Sequence, residues 1–455
     1  MSWLVQAEGP AGTHASLPSQ FGNRIRFLSY PLISAIVVLV GSLVSDEATP
    51  LVVLGFICLT FSVSAVWANS TPLVRLTFVA LASHAAFGWI AAEPSAGVTW
   101  VGSVGPQLYA RAFFVVSFGL MIAGFGFAIG RTRNLHLPSF NEERFRKVCR
   151  SVVLFGALGM FLVYYRLGAL PWQIDILTIG STRYVTGTIE WVINRFMDLL
   201  TITVPILLLF GTRDKVYALI GLFSLSLPFR RANIMAVLLL AVICWSIRRN
   251  RFKPLIAGIV LAVSLYAASQ LLYFGMLGAG VDRRQSIAAM GSALPEIRDL
   301  GWMLQLTHGR RWWGTTFVQP LLPLPSFLIP WVQDHSLRTV STSLIGLDRE
   351  STGGLRLTLA GESFLNFGLA GVLVICLAWG FAMRWIDSAI RSVAIASRLQ
   401  VYLVSLVLSW TAFWIYLAGS QASGIIKAGI IISAILLFIE RDRRPTIPTA
   451  ARVST

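Results

Sequence analysis

Apolar residues run along this chain in blocks long enough to form helices, with polar and charged residues gathered between them. The blocks fall near 28–45, 50–68, 73–92, 108–130, 148–166, 191–210, 216–229, 232–247, 254–274, 367–386, 400–418 and 425–440. At roughly 20 apolar residues per membrane-crossing helix, the pattern predicts an all-α polytopic membrane protein of about 12 transmembrane helices. The expected organisation is a tail over 1–27, a transmembrane bundle over 28–274 and one large loop over 275–358. An interfacial helix and the last three spans follow over 359–440, and a basic tail closes the chain over 441–455.

Lysine and arginine orient such a chain because they are retained on the cytoplasmic side. With the N-terminus inside, Arg131–Arg150, Arg248–Lys253 and Arg441–Arg444 all fall inside, while acidic residues collect outside. Both termini are then cytoplasmic. Residues 1–27 are mixed in character, and Arg24 and Arg26 abut the first block. That block therefore reads as a signal anchor, not a removable leader.

The stretch Val216–Ile247 tests the count. As one helix it reverses all later topology and puts Arg248–Lys253 outside, against the charge rule. As two, of about 14 and 16 residues, each helix reaches only about 21–24 Å. A hydrocarbon core is about 30 Å thick. The turn Pro228-Phe229-Arg230-Arg231 then sits below the outer surface, an unusual depth for two guanidinium groups.

Composition narrows the class. Of 455 residues, 56% are hydrophobic and 13% charged, with mean hydropathy +0.72, whereas soluble domains are about a quarter charged. A soluble enzyme, a disordered chain and a single-pass receptor are excluded. The net charge of +17 follows from 37 basic and 20 acidic residues. The inward bias of the basic residues accounts for it, so no nucleic-acid partner is needed. Only four of them are lysines, and arginine is the better bidentate binder of phosphate and carboxylate. Cys58, Cys149, Cys244 and Cys376 form no CxxC pair, so neither a zinc site nor a disulfide framework is expected.

The loop carries the most unusual chemistry. Ser292 is placed to cap a helix from about Pro295 to Thr307, with Ile297, Leu300, Met303 and Leu304 on its apolar side. His308-Gly309-Arg310-Arg311-Trp312-Trp313-Gly314 comes next. Pro320, Pro323, Pro325 and Pro330 then predict an extended segment along the membrane interface, ending in Trp331. Further on, Glu362 and Asn366 stand four residues apart and share a helix face at the edge of an apolar span. A carboxylate there needs a partner or a task.

Gly361-Glu362-Ser363-Phe364-Leu365-Asn366-Phe367-Gly368, followed by Gly371, resembles the GE-x-aromatic-x-N-F-G-x-x-G segment of bacterial O-antigen and related polysaccharide polymerases of the Wzy type. The proline-rich Leu321–Pro330, the arginines at the outer start of a mid-chain helix and the large outer loop agree with that family's layout. The approach to those arginines, Ser-Leu-Pro-Phe, departs from the Gly/Ser-rich approach common in the family. Which of Arg230 and Arg231 corresponds therefore stays open.

The resemblance implies glycosyl transfer between undecaprenyl-diphosphate-linked oligosaccharides at the periplasmic face of the inner membrane, with no cofactor. The implied partners are that lipid-linked oligosaccharide and the bilayer, with a chain-length regulator left open. Arg230 and Arg231 are assigned to the lipid diphosphate, whose charge must be stabilised as its bond breaks. No His or carboxylate cluster on the outer side has metal-ligand spacing, and Asp46-Glu47 reads as an ordinary outer turn. Candidates to take the proton of the attacking hydroxyl are His308 and Glu362, with His335, Asp282, Glu296, Asp299 and Asp348 behind them.

Arg310, Arg311, Trp312 and Trp313 are candidates for binding diphosphate and sugar rings, Arg283 and Arg284 for a second diphosphate, and Asn366 for substrate beside Glu362. His84, inside an apolar block, reads as a satisfied core histidine, and Gly119–Gly130 as a helix-packing surface. The nearest alternative is an O-antigen ligase. A lipid-linked oligosaccharide flippase is the alternative of a different class, although the chain lacks the two similar halves that a transporter favours.

Overall fold

The computed structural model describes residues 48–67, 70–91, 104–131, 141–167, 188–227, 231–249, 296–317, 337–344, 356–393, 397–409 and 411–412, with single positions at 253, 256, 257, 331, 335 and 432. The described residues form helices and turns, with no strand among them. The helices are α1 Ala48–Trp67, α2 Pro72–Ala91, α3 Pro106–Ile129, α4 Glu142–Leu167, α5 Thr188–Leu208, α6 Thr212–Ser226, α7 Arg231–Arg249, α8 Glu296–Thr307, α9 Leu337–Leu344, α10 Leu359–Val393 and α11 Arg398–Ser409. Five of them, α1, α2, α3, α4 and α10, are long and apolar enough to cross a membrane. The expected spans near 28–45, 254–274 and 425–440 lie almost wholly outside the described residues.

The surfaces of these helices match their composition. On α4, Phe155, Leu158, Phe161 and Leu162 are each more than half exposed. Such a band is unfavourable in water and suits hydrocarbon. The stretch over 216–247 forms two helices, because α6 ends at Ser226 and α7 begins at Arg231, and the two pack on each other.

α3 is the central element, packed against α1, α2, α8 and α10. Pro106 opens it at a position where a missing N–H costs nothing. Its glycines let the neighbours approach closely: a Cβ on Gly126 lies 2.5 Å from the Leu377 carbonyl of α10. Gly380 of α10 meets the Ala123 carbonyl of α3 in the same way. Small residues are the means by which membrane helices pack without a hydrophobic driving force.

A second group, α4 to α7, joins the first through α11, which touches both α7 and α10. One end of the bundle is tied by charge. Asp387 of α10, 0% exposed, accepts the Thr71 amide at the start of α2 at 2.6 Å and pairs with Arg384 and Arg391. Asp214, at the start of α6, pairs with Arg146 and Arg150 of α4. Arg398 of α11 donates to the Leu209 carbonyl after α5, and Glu142 of α4 accepts the Leu399 amide. The opposite end holds the start of α3, α8 and the start of α10.

Candidate functional site

The helix expected from Pro295 to Thr307 is α8, Glu296–Thr307. It packs into the bundle against α2 and α3. Ile297, Leu300 and Met303 are buried as its apolar side, and so are Glu296, Arg298 and Asp299. His84 of α2 meets Glu296 at 3.0 Å, so this core histidine does have a partner. Asp299 contacts Arg298 and accepts the Arg356 amide at 2.8 Å. Burial pushes its carboxyl up to about 7, against the pull of the Arg298 guanidinium. Arg298 in turn stacks on Trp302.

Thr358 caps α10, its hydroxyl accepting the Gly361 amide at 3.1 Å. The helix then breaks at Gly368, where φ is 68° and ψ is −156°. That region of backbone space is essentially reserved for glycine. Residues 359–366 are thus the short first segment of α10, before the break, and they are buried throughout.

The break removes the carbonyls of Phe364, Leu365 and Asn366 from the helical hydrogen-bond ladder. The loop after α8 supplies their partners. Arg311 Nη1 donates to Phe364 O at 2.8 Å, Trp312 N to Leu365 O at 3.1 Å and Trp313 N to Asn366 O at 3.2 Å. Asn366, fully buried, clamps the same loop: its Oδ1 accepts the Gly314 amide at 2.8 Å. Its Nδ2 donates to Thr316 Oγ1 at 2.8 Å and back to the Glu362 carbonyl at 2.9 Å. Phe317 stacks on Phe367 beside it.

The loop is strained where it turns. His308 and Trp313 have φ of 47° and 50°, a left-handed conformation uncommon outside glycine and enriched where function holds it. His308, Arg310 and Trp313 are exposed, Trp313 by 78%. Glu362 lies on the inner side, 1% exposed. The Thr316 hydroxyl faces its carboxylate, but neither oxygen completes a hydrogen bond of normal geometry among the described residues. A buried carboxyl so weakly partnered is costly, which makes Glu362 a candidate functional position.

No family model, curated protein or solved structure matches the chain. The site is therefore read from its own residues.

The structure brings together Arg311, Trp312, Trp313, Glu362 and Asn366, with His308 and Arg310 on the same loop. Arg230, Arg283, Arg284, Asp282, Asp348, Asp46 and Glu47 lie outside the described residues. Arg231 opens α7, and its side chain is likewise outside the description. His335 bonds to the Trp331 carbonyl at 2.7 Å.

One residue escaped the sequence reading. Arg111, on the first turns of α3, lies over the Phe364 ring at 5.6 Å, and Arg311 lies over the same ring at 4.8 Å. The signal for it was a lone guanidinium at the edge of an apolar block.

Proposed function

We propose that this chain is a polysaccharide polymerase of the Wzy type. It joins undecaprenyl-diphosphate-linked oligosaccharide repeat units at the periplasmic face of the bacterial inner membrane, without metal or cofactor. In this reading about 12 helices span the bilayer, both termini are cytoplasmic, and the end of the bundle built from α8, the loop and the start of α10 faces the periplasm. The observation that carries the reading is the docking of the Arg311–Gly314 loop on the short first segment of α10, whose Gly361–Gly368 sequence resembles the polymerase motif.

The reaction requires an acceptor hydroxyl to attack the anomeric carbon of the donor. A new C–O bond forms, and the C–O bond to the lipid diphosphate breaks, the electron pair leaving on the diphosphate. The hydroxyl proton passes to His308, which stands at the exposed tip of the loop. Glu362 is a positioning residue in this scheme, because its carboxyl is buried beneath the loop. Asn366 is one too, since three hydrogen bonds hold its amide inside.

Arg230 and Arg231 stabilise the departing diphosphate, and Arg310, Arg311, Trp312 and Trp313 receive the oligosaccharide carrier, with Arg283 and Arg284 available to a second diphosphate. The test is deletion of the gene in its parent bacterium, with the lipid-linked and exported glycans resolved by size. Single repeat units that never polymerise support the reading. Full-length glycan unable to reach lipid A indicates a ligase, and units stranded on the cytoplasmic side indicate a flippase.

A further inference from the structure

Arg111 and Arg311 are far apart in the sequence, yet they share one aromatic ring. Their guanidinium carbons lie 5.6 and 4.8 Å from the centre of the Phe364 ring, which is itself buried. Neither makes an ion pair with an acid among the described residues. Elsewhere in the described bundle, two buried aspartates each hold two arginines: Asp387 holds Arg384 and Arg391, and Asp214 holds Arg146 and Arg150.

Two like charges gathered at one ring repel, and the repulsion grows as water is excluded. Arg311 registers it: burial and the Arg111 charge both hold its guanidinium below the ordinary range. The arrangement is nonetheless built into the fold. Arg311 is fixed by its 2.8 Å bond to Phe364 O. Gly368 makes room for it, since a Cβ there would stand 3.2 Å from Nη2. Arg111 is on the most deeply packed helix of the bundle and keeps its own side chain exposed.

We propose that Arg111 and Arg311, gathered at Phe364, form a clamp for a phosphate group. A phosphate bridging two guanidinium forks removes the repulsion and adds charge-assisted, bidentate hydrogen bonds. The chemistry recognised is a phosphate monoester or diphosphate at the membrane surface. Its source is either the diphosphate of the lipid-linked substrate, a choice that rests on the polymerase reading, or the headgroup of an anionic lipid.

The experiment uses the full chain in dodecyl maltoside, which carries no phosphate, with inorganic pyrophosphate as the probe in a calorimetric titration. Wild type binds pyrophosphate, and Arg111→Gln and Arg311→Gln each weaken binding by about tenfold or more, the scale of one lost charge-assisted contact. The double variant is little worse than either single one, because the two groups act as a unit. Arg111→Lys keeps the charge but loses the fork, and falls between. Since Arg111 is exposed, Arg111→Gln does not depend on refolding of the loop that Arg311 braces.

A second arm adds phosphatidylglycerol to the micelles. Displacement of pyrophosphate identifies a lipid headgroup as the occupant, and persistence identifies a diphosphate. Both outcomes keep the clamp. Equal binding by wild type and Arg111→Gln overturns it, as does a wild type that takes neither probe. Failure of the polymerase reading looks different: Arg111-dependent binding survives, while deletion of the gene leaves the glycan ladder intact.

Discussion

Asn366 accepts the Gly314 amide at 2.8 Å, and this bond locks the loop after α8 onto the broken start of α10 across 52 residues of sequence. Both N–H groups of the same amide are engaged as well, by Thr316 and by the Glu362 carbonyl. An amide with one acceptor and two donors in use has no isosteric substitute.

Asn366→Asp tests that statement. The carboxylate keeps the acceptor for Gly314 but turns both donor positions into acceptors, facing the Thr316 hydroxyl and a backbone carbonyl. The expected loss is about 1–3 kcal/mol. It is read as a lower Tm in detergent and as faster hydrogen exchange confined to residues 308–317. Unchanged exchange in that segment contradicts the clamp.

Gly368→Ala meets two obstacles. The residue needs positive φ, and its new Cβ approaches the Arg311 guanidinium at 3.2 Å. A cost of about 1–3 kcal/mol is expected for a side chain in that region of backbone space. Gly105→Ala is the control, because a Cβ there has nothing within 4 Å and φ is −61°. Its Tm stays near that of wild type.

Asp299 gives the protein a pH dependence whose sign can be worked out. Burial holds its carboxyl at about 7 in the fold, whereas an unfolded aspartate titrates near 3.9. Between about pH 4 and pH 7 the folded chain therefore keeps a proton that the unfolded chain has released. Stability falls as pH rises through that window and levels off above it. Asp299→Asn removes this slope yet retains an acceptor for the Arg356 amide. The difference in Tm between wild type and variant, followed from pH 4.5 to 8, isolates Asp299 from the neighbouring His84–Glu296 pair, which both proteins contain. Parallel curves contradict the assignment.

Asp387→Ala strikes the opposite end. It strands the Thr71 amide and leaves Arg384, mostly buried, without its carboxylate. Loss of one partner of a buried pair costs about 3–5 kcal/mol, while the half-exposed Arg391 contact adds little. Lower yield and Tm are expected. The protein that does fold keeps the geometry around Gly368, so its specific activity is retained.

Features governed by local pattern were legible in the sequence. Apolar blocks foretold α1 to α7, α10 and α11, the charge rule foretold the division between α6 and α7, and spacing foretold α8. The glycines of α3 foretold close packing. What stayed hidden depends on contacts far apart in sequence. No periodicity announces that the Arg311 side chain and the Trp312 and Trp313 amides complete the carbonyls of a helix about 50 residues later, or that Arg111 joins Arg311 over Phe364. The burial of Glu296, Arg298 and Asp299 was hidden for the same reason: in sequence they are charges on an outer loop, and in the fold they pack among α2, α3 and the segment entering α10. The break at Gly368 was hidden because its glycine also fits a packing role.

The most direct measurement is the size distribution of exported glycan after the gene is deleted, then restored as wild type, as the Arg230→Lys/Arg231→Lys double variant or as His308→Ala. The account predicts single repeat units after deletion, a full ladder with wild type and no ladder with either variant, at equal protein level in the membrane. A normal ladder in the deletion strain, or with both variants, contradicts it.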